Sequence, residues 1–293
     1  MPTILIAGDY CPSCRVVDEI AKGNYGMVFD EVKAVSADFK IVNFECAVAG
    51  LDDTPIKKCG PNLKCSEKSV DAIKYAGFDC VTLANNHFGD YGQTGVEKTI
   101  SKLKQEGLVY VGGGATLQEA QRTLYQRIEG DMVAFINCCE HEFSIATEQR
   151  GGSNPLNPIR QWYAIREAKE NADYVLVIVH GGPEQYELPL NRMVETYRFF
   201  IDAGADAVIN HHQHCMSGYE EYVGTAVEQF RKLLNEQLER TEKMEKSAPA
   251  KDFSRLDKIV VGIVGGDGIG PIISAESERL LRFILKDEIA AGK

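Results

Sequence analysis

The sequence predicts a layered α/β fold, and two observations carry that expectation. Short apolar, β-branched runs recur along the chain, and stretches with helical spacing lie between several of them. Alternation of this kind belongs to sheets covered by helices. In order, the runs are TILIAG (3–8), FKIVNF (39–44), DCVTLA (79–84), LVYVGG (108–113), MVAFINC (132–138), YVLVIVH (174–180) and ADAVINH (205–211). Each has the length of a strand and is too apolar to leave one face in water. Helical periodicity falls at about 67–77, 94–106, 158–171 and 190–203.

The polar residues that interrupt this pattern share a position. Asp9, Asn43, Glu45, Asn86, His87, His180, Glu184, His211, His212 and His214 all stand at or just beyond the C-terminal end of a run. In α/β sheets that edge carries the ligand site, because the strand ends and their following loops converge there. The runs therefore aim chemistry at one place.

Composition narrows the function classes. The net charge of −11 argues against a phosphate-backbone partner, since nucleic-acid affinity rests mainly on Lys and Arg. An anionic small substrate would need a local positive centre, such as a metal ion. The absence of ~20 consecutive apolar residues predicts no membrane span, and MPTILIAGDY lacks a basic leader, so a cytoplasmic protein is expected. Nine scattered cysteines then read as reduced thiols. The CxxC of CPSC (11–14) lacks both a redox context and a second pair for zinc.

The segment HHQH (211–214) concentrates three of the six histidines. Two histidines separated by one residue on an extended chain turn both rings to one face, which suits one metal ion or two adjacent ones. The same residues could equally line a polar surface loop. His180 precedes two glycines that permit close backbone approach to a ligand, Asn86 offers a neutral oxygen, and Asp9 and Glu45 could be ligands or mere turn residues. Lys57 and Lys58, before a Gly-Pro turn, could meet a phosphate or polyanion, and Glu184 and His211 complete the expected substrate-facing set.

Taken together, GD, N-F-E, A-N-N-H-x-x-D-Y-G, H-G-G-x-E-x-Y and H-H-x-H-x-x-x-G-x-E-x-Y resemble, over residues 2–224, the CapA family of poly-gamma-glutamate capsule biosynthesis proteins. That family is a branch of the calcineurin-like metallophosphoesterases. The resemblance implies a sandwich of two sheets flanked by helices, with one or two divalent ions (Mn, Fe or Zn) at the sheet edges. It makes Asp9 and Glu45 the carboxylate ligands, assigns Asn86, His180 and His212 to one metal, and His214 with Asp9 to the other. Asp9 and His87 would be catalytic, His87 by stabilising or protonating the leaving group. The usual D-x-H of the wider superfamily is DYC here, with Cys11 in the histidine's place.

Three segments are expected: a CapA-like domain (1–224), an amphipathic helix and linker (225–255), and a partial strand-turn-helix (256–293). Val227, Phe230, Leu234, Leu238 and Met244 fall near helical spacing, with favourable i,i+4 pairs such as Glu228/Lys232 and Glu236/Arg240. The third segment resembles the start of the isocitrate and isopropylmalate dehydrogenase family through G-D-G-I-G-P (266–271), without the rest of such an enzyme. The leading functional expectation is a metal-dependent hydrolase of a phosphoester or related anionic substrate. The alternative is a non-catalytic subunit that binds polyglutamate or a protein partner, or self-associates, through the 226–246 helix.

Overall fold

Apolar residues placed on both sides of a strand force it into the interior, and the second run shows this most plainly, with all six residues of Phe39–Phe44 buried. A computed structural model of the chain describes residues 2–245 and 270–292. Its strands are β1 (Ile4–Tyr10), β2 (Phe39–Phe44), β3 (Ala47–Val48), β4 (Lys64–Cys65), β5 (Cys80–Thr82) and β6 (Val109–Val111). They continue with β7 (Gly113–Gly114), β8 (Leu124–Ile128), β9 (Asp131–Cys139), β10 (Gly152–Ser153), β11 (Tyr174–His180) and β12 (Ala207–His211). The helices are α1 (Arg15–Lys22), α2 (Tyr25–Lys33), α3 (Lys68–Tyr75), α4 (Gly92–Gln105) and α5 (Leu117–Ala120). After them come α6 (Pro158–Asn171), α7 (Asn191–Ala203), α8 (Thr225–Glu245), α9 (Gly270–Ile284) and α10 (Lys286–Ala290).

Every expected run forms a strand, and every expected helical stretch forms a helix. Sequence periodicity passed over α1, α2 and β8. The first two are helices of eight and nine residues, and β8 is a five-residue strand, so each offers few repeats of its period.

The chain divides into two compact units, Met1–Phe230 and Arg231–Lys293. The first holds two four-stranded sheets, ordered β1-β2-β5-β6 and β12-β11-β9-β8. All pairings in the first sheet are parallel; in the second, β8 joins β9 as an antiparallel hairpin. The hairpin turns on Glu129 and Gly130, both at positive φ (48° and 96°), the backbone that a two-residue loop requires. Between the sheets lies one apolar core, with Phe39, Ile41 and Cys80 from the first and Val133, Phe135 and Ile178 from the second. Helices α1–α4 cover the outer face of the first sheet and α6 and α7 that of the second. This is the expected sandwich of two sheets flanked by helices.

Helix starts follow local chemistry. Asn157 caps α6 by accepting from the N–H groups of Ile159 and Arg160, with Pro158 in the first turn, where its missing N–H costs nothing. Thr116 caps α5 in the same way through the Glu119 N–H.

Asn137 ties the two sheets together at the edge that matters. Its Oδ1 accepts from the Ala84 N–H at 2.8 Å and its Nδ2 donates to the Ile178 carbonyl at 3.0 Å. Gly112 permits this: its φ is +83°, and a Cβ there would lie 1.9 Å from Asn137 Oδ1. Gly112→Ala is therefore expected to lose about 3 kcal/mol of stability, from backbone strain and a displaced buried amide. The midpoint of urea unfolding reads it out, and an unshifted midpoint would refute the account.

In the second unit, α9 and α10 are described together with most of α8. Leu234 and Leu238 of the expected apolar stripe are exposed, and Arg282 pairs with Glu278 one turn away at 2.7 Å. The expected strand and Gly-rich turn lie outside the described residues, apart from Gly270 and Pro271, which open α9. Among the described residues, no helix is long and apolar enough to cross a membrane.

Candidate metal centre

The centre begins with a bulge. β1 pairs with β2 in register up to Ala7↔Val42, then skips Gly8 so that Asp9 faces Asn43. A bulge re-aims the following side chain, and here it brings Asp9 Oδ1 to 2.7 Å from the Asn43 amide. Glu45 follows β2 directly, held by its N–H on the Tyr10 carbonyl at 3.0 Å. From the other sheet, His180 and His211 are register partners at the ends of β11 and β12. The His212 N–H then donates to Asp9 Oδ2 at 3.0 Å, which joins the two sheets at their C-terminal edges.

Three overlapping groups of ligand atoms result, each within 4.8 Å: Glu45 with His180 and His212; Asp9 with Glu45 and His214; and Glu184 with His212 and His214. His180 Nε2 lies 3.5 Å from Glu45 Oε1 and 3.0 Å from Asn86 Oδ1, so Asn86 joins the first group. His214 Nδ1 lies 3.5 Å from Asp9 Oδ2.

The means by which His212 and His214 converge differs from the expected one. Neither is extended: their φ values are +90° and +51°, left-handed backbone that non-glycine residues adopt at a cost of about 1–3 kcal/mol each. A turn, not strand alternation, brings the two rings to 6.0 Å between centroids.

Burial sets the electrostatics. Desolvation, with Asp9 nearby, raises the Glu45 carboxyl to about 7. Burial also works to raise Asp9, but His180, His211, the Asn43 amide and the His212 N–H together hold it below the ordinary carboxylate value. His180, 1% exposed, is pushed well below the usual imidazole range by desolvation, against the pull of Asp9, and is neutral near pH 7. His211 is lowered by burial in the same sense, again opposed by Asp9.

The donor set fits a divalent ion. Asp9 and Glu45 share one ligand group with imidazoles around them, and among the described residues the buried Nδ1 atoms of His211 and His212 have no hydrogen-bond partner. Imidazole with carboxylate suits Mn, Fe or Zn better than Mg. An ion held through Glu45 would have to displace its proton below pH 7. The metal-free chain is thus expected to gain up to about tenfold in Mn or Zn affinity per pH unit on approaching pH 7 from Glu45 alone, levelling off above it. Calorimetry in buffers of different ionisation enthalpy counts that proton; no release below pH 7 would contradict it.

A second cluster adjoins this one. Asp90, fully buried, accepts from His87 Nδ1 at 2.7 Å and from the Leu63 N–H at 2.6 Å through Oδ2, and from Lys58 through Oδ1. Lys58 Nζ is also 3.2 Å from His87 Nδ1. Asn85 forms the turn that presents His87, its Oδ1 accepting from the N–H groups of His87 and Phe88. Sequence reasoning assigned no role to Asp90 or Asn85. The His87–Asp90 spacing of three residues within NNHFGD was a usable signal, since a turn brings such positions together.

Other expected residues are placed differently. Lys57 is exposed, whereas Lys58, its side chain buried, reaches His87. Glu184 stands on the loop after β11, its Oε1 3.9 Å from His212 Nε2. His211 is buried at the end of β12. Cys11 and Cys14 are free thiols. Glu140, directly after β9, braces the loop after β11 by accepting from the Gly182 N–H at 3.1 Å.

Comparison with known proteins adds the following. The family described as bacterial capsule synthesis protein PGA_cap matches residues 3–229. The capsule biosynthesis protein CapA of Bacillus anthracis is 32% identical over 230 residues, covering 75% of this chain and 56% of that protein. The PGA biosynthesis protein CapA of Bacillus subtilis (strain 168) is 30% identical over 242 residues, covering 77% and 63%. The chain therefore spans less than two thirds of these relatives' length. A 5'-nucleotidase precursor from Thermus thermophilus aligns over 68% of this chain and 37% of its own at 13% identity, with a TM-score of 0.41.

Proposed function

This chain belongs to the bacterial capsule synthesis protein PGA_cap family, and from that premise we propose that residues 1–224 are a metal-dependent hydrolase domain acting on a phosphoester or related anionic substrate in capsule synthesis. The observation that carries the reading is the convergence of Asp9, Glu45, His180, His212 and His214 in overlapping ligand groups where the two sheets meet. With Asn86, these residues would hold one or two divalent ions. Such an ion supplies Lewis acidity toward an anionic oxygen and lowers the pKa of water.

The chain's own residues supply the rest. The Asn43 Nδ2 donates to Asp9 Oδ1 and lies 3.3 Å from His180 Nδ1, orienting a ligand from each sheet. Asn43 is itself locked, because its Oδ1 accepts from Thr82 and Asn85. Supporting contacts of this kind fix ring orientation at metal sites. Asp90 takes the His87 Nδ1–H, which leaves Nε2 as the ring atom able to exchange a proton with a leaving group.

Elemental analysis of untagged protein purified without chelator tests the reading, followed by a screen of phosphoesters. One or two equivalents of Mn, Fe or Zn per chain, with turnover, is the expected result. No uptake even after incubation with Mn and Zn would reject it in favour of a non-catalytic binding subunit, with the exposed Leu234 and Leu238 of α8 as its docking surface.

A further inference from the structure

We infer that the cleft between the end of β9 and the first turns of α6 and α7 is a binding site for a zwitterionic amino acid with an apolar side chain. Its volume of about 420 Å³ lies within the usual range for small-molecule sites. The lining includes the polar Glu140, His141, Glu142 and Arg192 and the apolar Leu156 and Met193. None of these six belongs to a metal-ligating group of the centre described above.

Glu140 is the fixed point of the cleft. Its N–H donates to the His180 carbonyl at 3.0 Å, its Oε2 accepts from the Gly182 N–H at 3.1 Å, and its Oε1 holds Arg192 Nη1 at 2.9 Å. Glycine at 181 permits this, since a Cβ there would lie 2.4 Å from the Glu140 Cγ. The Leu156 N–H, on the Cys139 carbonyl at 2.7 Å, and the Asn157 cap of α6 fix another wall. Arg192 is thus held by one nitrogen, and its remaining N–H groups are open to a ligand carboxylate, which a guanidinium binds as a fork. His141, exposed beside it, offers a ring N–H to the same carboxylate. Glu142 is exposed and forms no ion pair among the described residues, so it is open to a ligand ammonium. A ligand with the carboxylate alone would leave Glu142 uncompensated, and one with the ammonium alone would meet Arg192. An amino acid matches both, with its side chain against Leu156 and Met193.

The test is isothermal titration calorimetry of the full chain with L-leucine, isocaproate, which lacks the ammonium, and isoamylamine, which lacks the carboxylate. Leucine is expected to bind one equivalent per chain, at least about tenfold tighter than either analogue, since each analogue forgoes one charged hydrogen bond. Arg192→Gln and Glu142→Gln should each weaken leucine by about tenfold for the same reason. Glu142 has no ion-pair partner to lose, so its variant keeps the fold, and it should bind isocaproate no more weakly than the wild type does. Absence of leucine binding by the wild type would overturn the site. Leucine held no tighter than either analogue would overturn the zwitterionic class of ligand. Undiminished leucine binding in both variants would place the ligand elsewhere, the metal centre included, and would overturn the site as well.

Discussion

Replacing His180 with alanine is expected to abolish tight metal binding and, with it, hydrolysis. The ring is buried and neutral, stands 3.5 Å from Glu45 and 3.0 Å from Asn86, and packs at 4.7 Å between centroids against His212. Removing an outer supporting group typically costs 10–100-fold in metal affinity, so losing a ligand should cost at least about 100-fold. If the ion contributes several kcal/mol to the transition state, turnover should fall by about 10³-fold, since 1.36 kcal/mol is tenfold. His212→Ala should behave alike, because His212 belongs to two of the three ligand groups. Circular dichroism must show an intact fold in both, since His180 fills space at the sheet junction. Unchanged turnover in both variants would exclude the mechanism.

How far the sequence revealed this centre depends on what each residue's position rests on. Strand ends were legible, because an apolar run that stops at His180 or just before Glu45 marks its own C-terminal edge. The convergence of those edges followed from the α/β class. Features that depend on a deviation from regular backbone were not legible. The bulge at Gly8 that aims Asp9 leaves no mark in hydrophobic periodicity, and the left-handed His212 and His214 defeat an argument from strand alternation. Lys58 illustrates a further limit. Its partners lie 29 and 32 residues away, and only the folding of the 56–63 segment against the His87 turn brings them together. Lys57 and Lys58 were indistinguishable as a dipeptide, yet one is exposed and the other lies in the interior.

That buried lysine leads to the second large effect, at Asp90. Asp90→Ala would leave the Lys58 ammonium without its carboxylate and the Leu63 N–H without its acceptor, both in a desolvated pocket. Breaking one half of a buried ion pair typically costs about 3–5 kcal/mol, enough to shift urea unfolding markedly. Restoring stability while withholding the carboxylate separates structure from chemistry. The double variant Lys58→Met/Asp90→Leu removes both charges together, so it should recover much of the lost stability. It should not recover turnover, because His87 would still lack the acceptor that holds its Nδ1–H. General acid catalysis is commonly worth about 10²–10⁴-fold, and that loss should depend on the leaving group. An aryl phosphoester, whose leaving oxygen needs little protonation, should be hydrolysed by the double variant far closer to the wild-type rate than an alkyl phosphoester. Equal losses on both substrates would mean that Asp90 serves only the packing of the 56–63 segment, and would remove His87 from proton transfer.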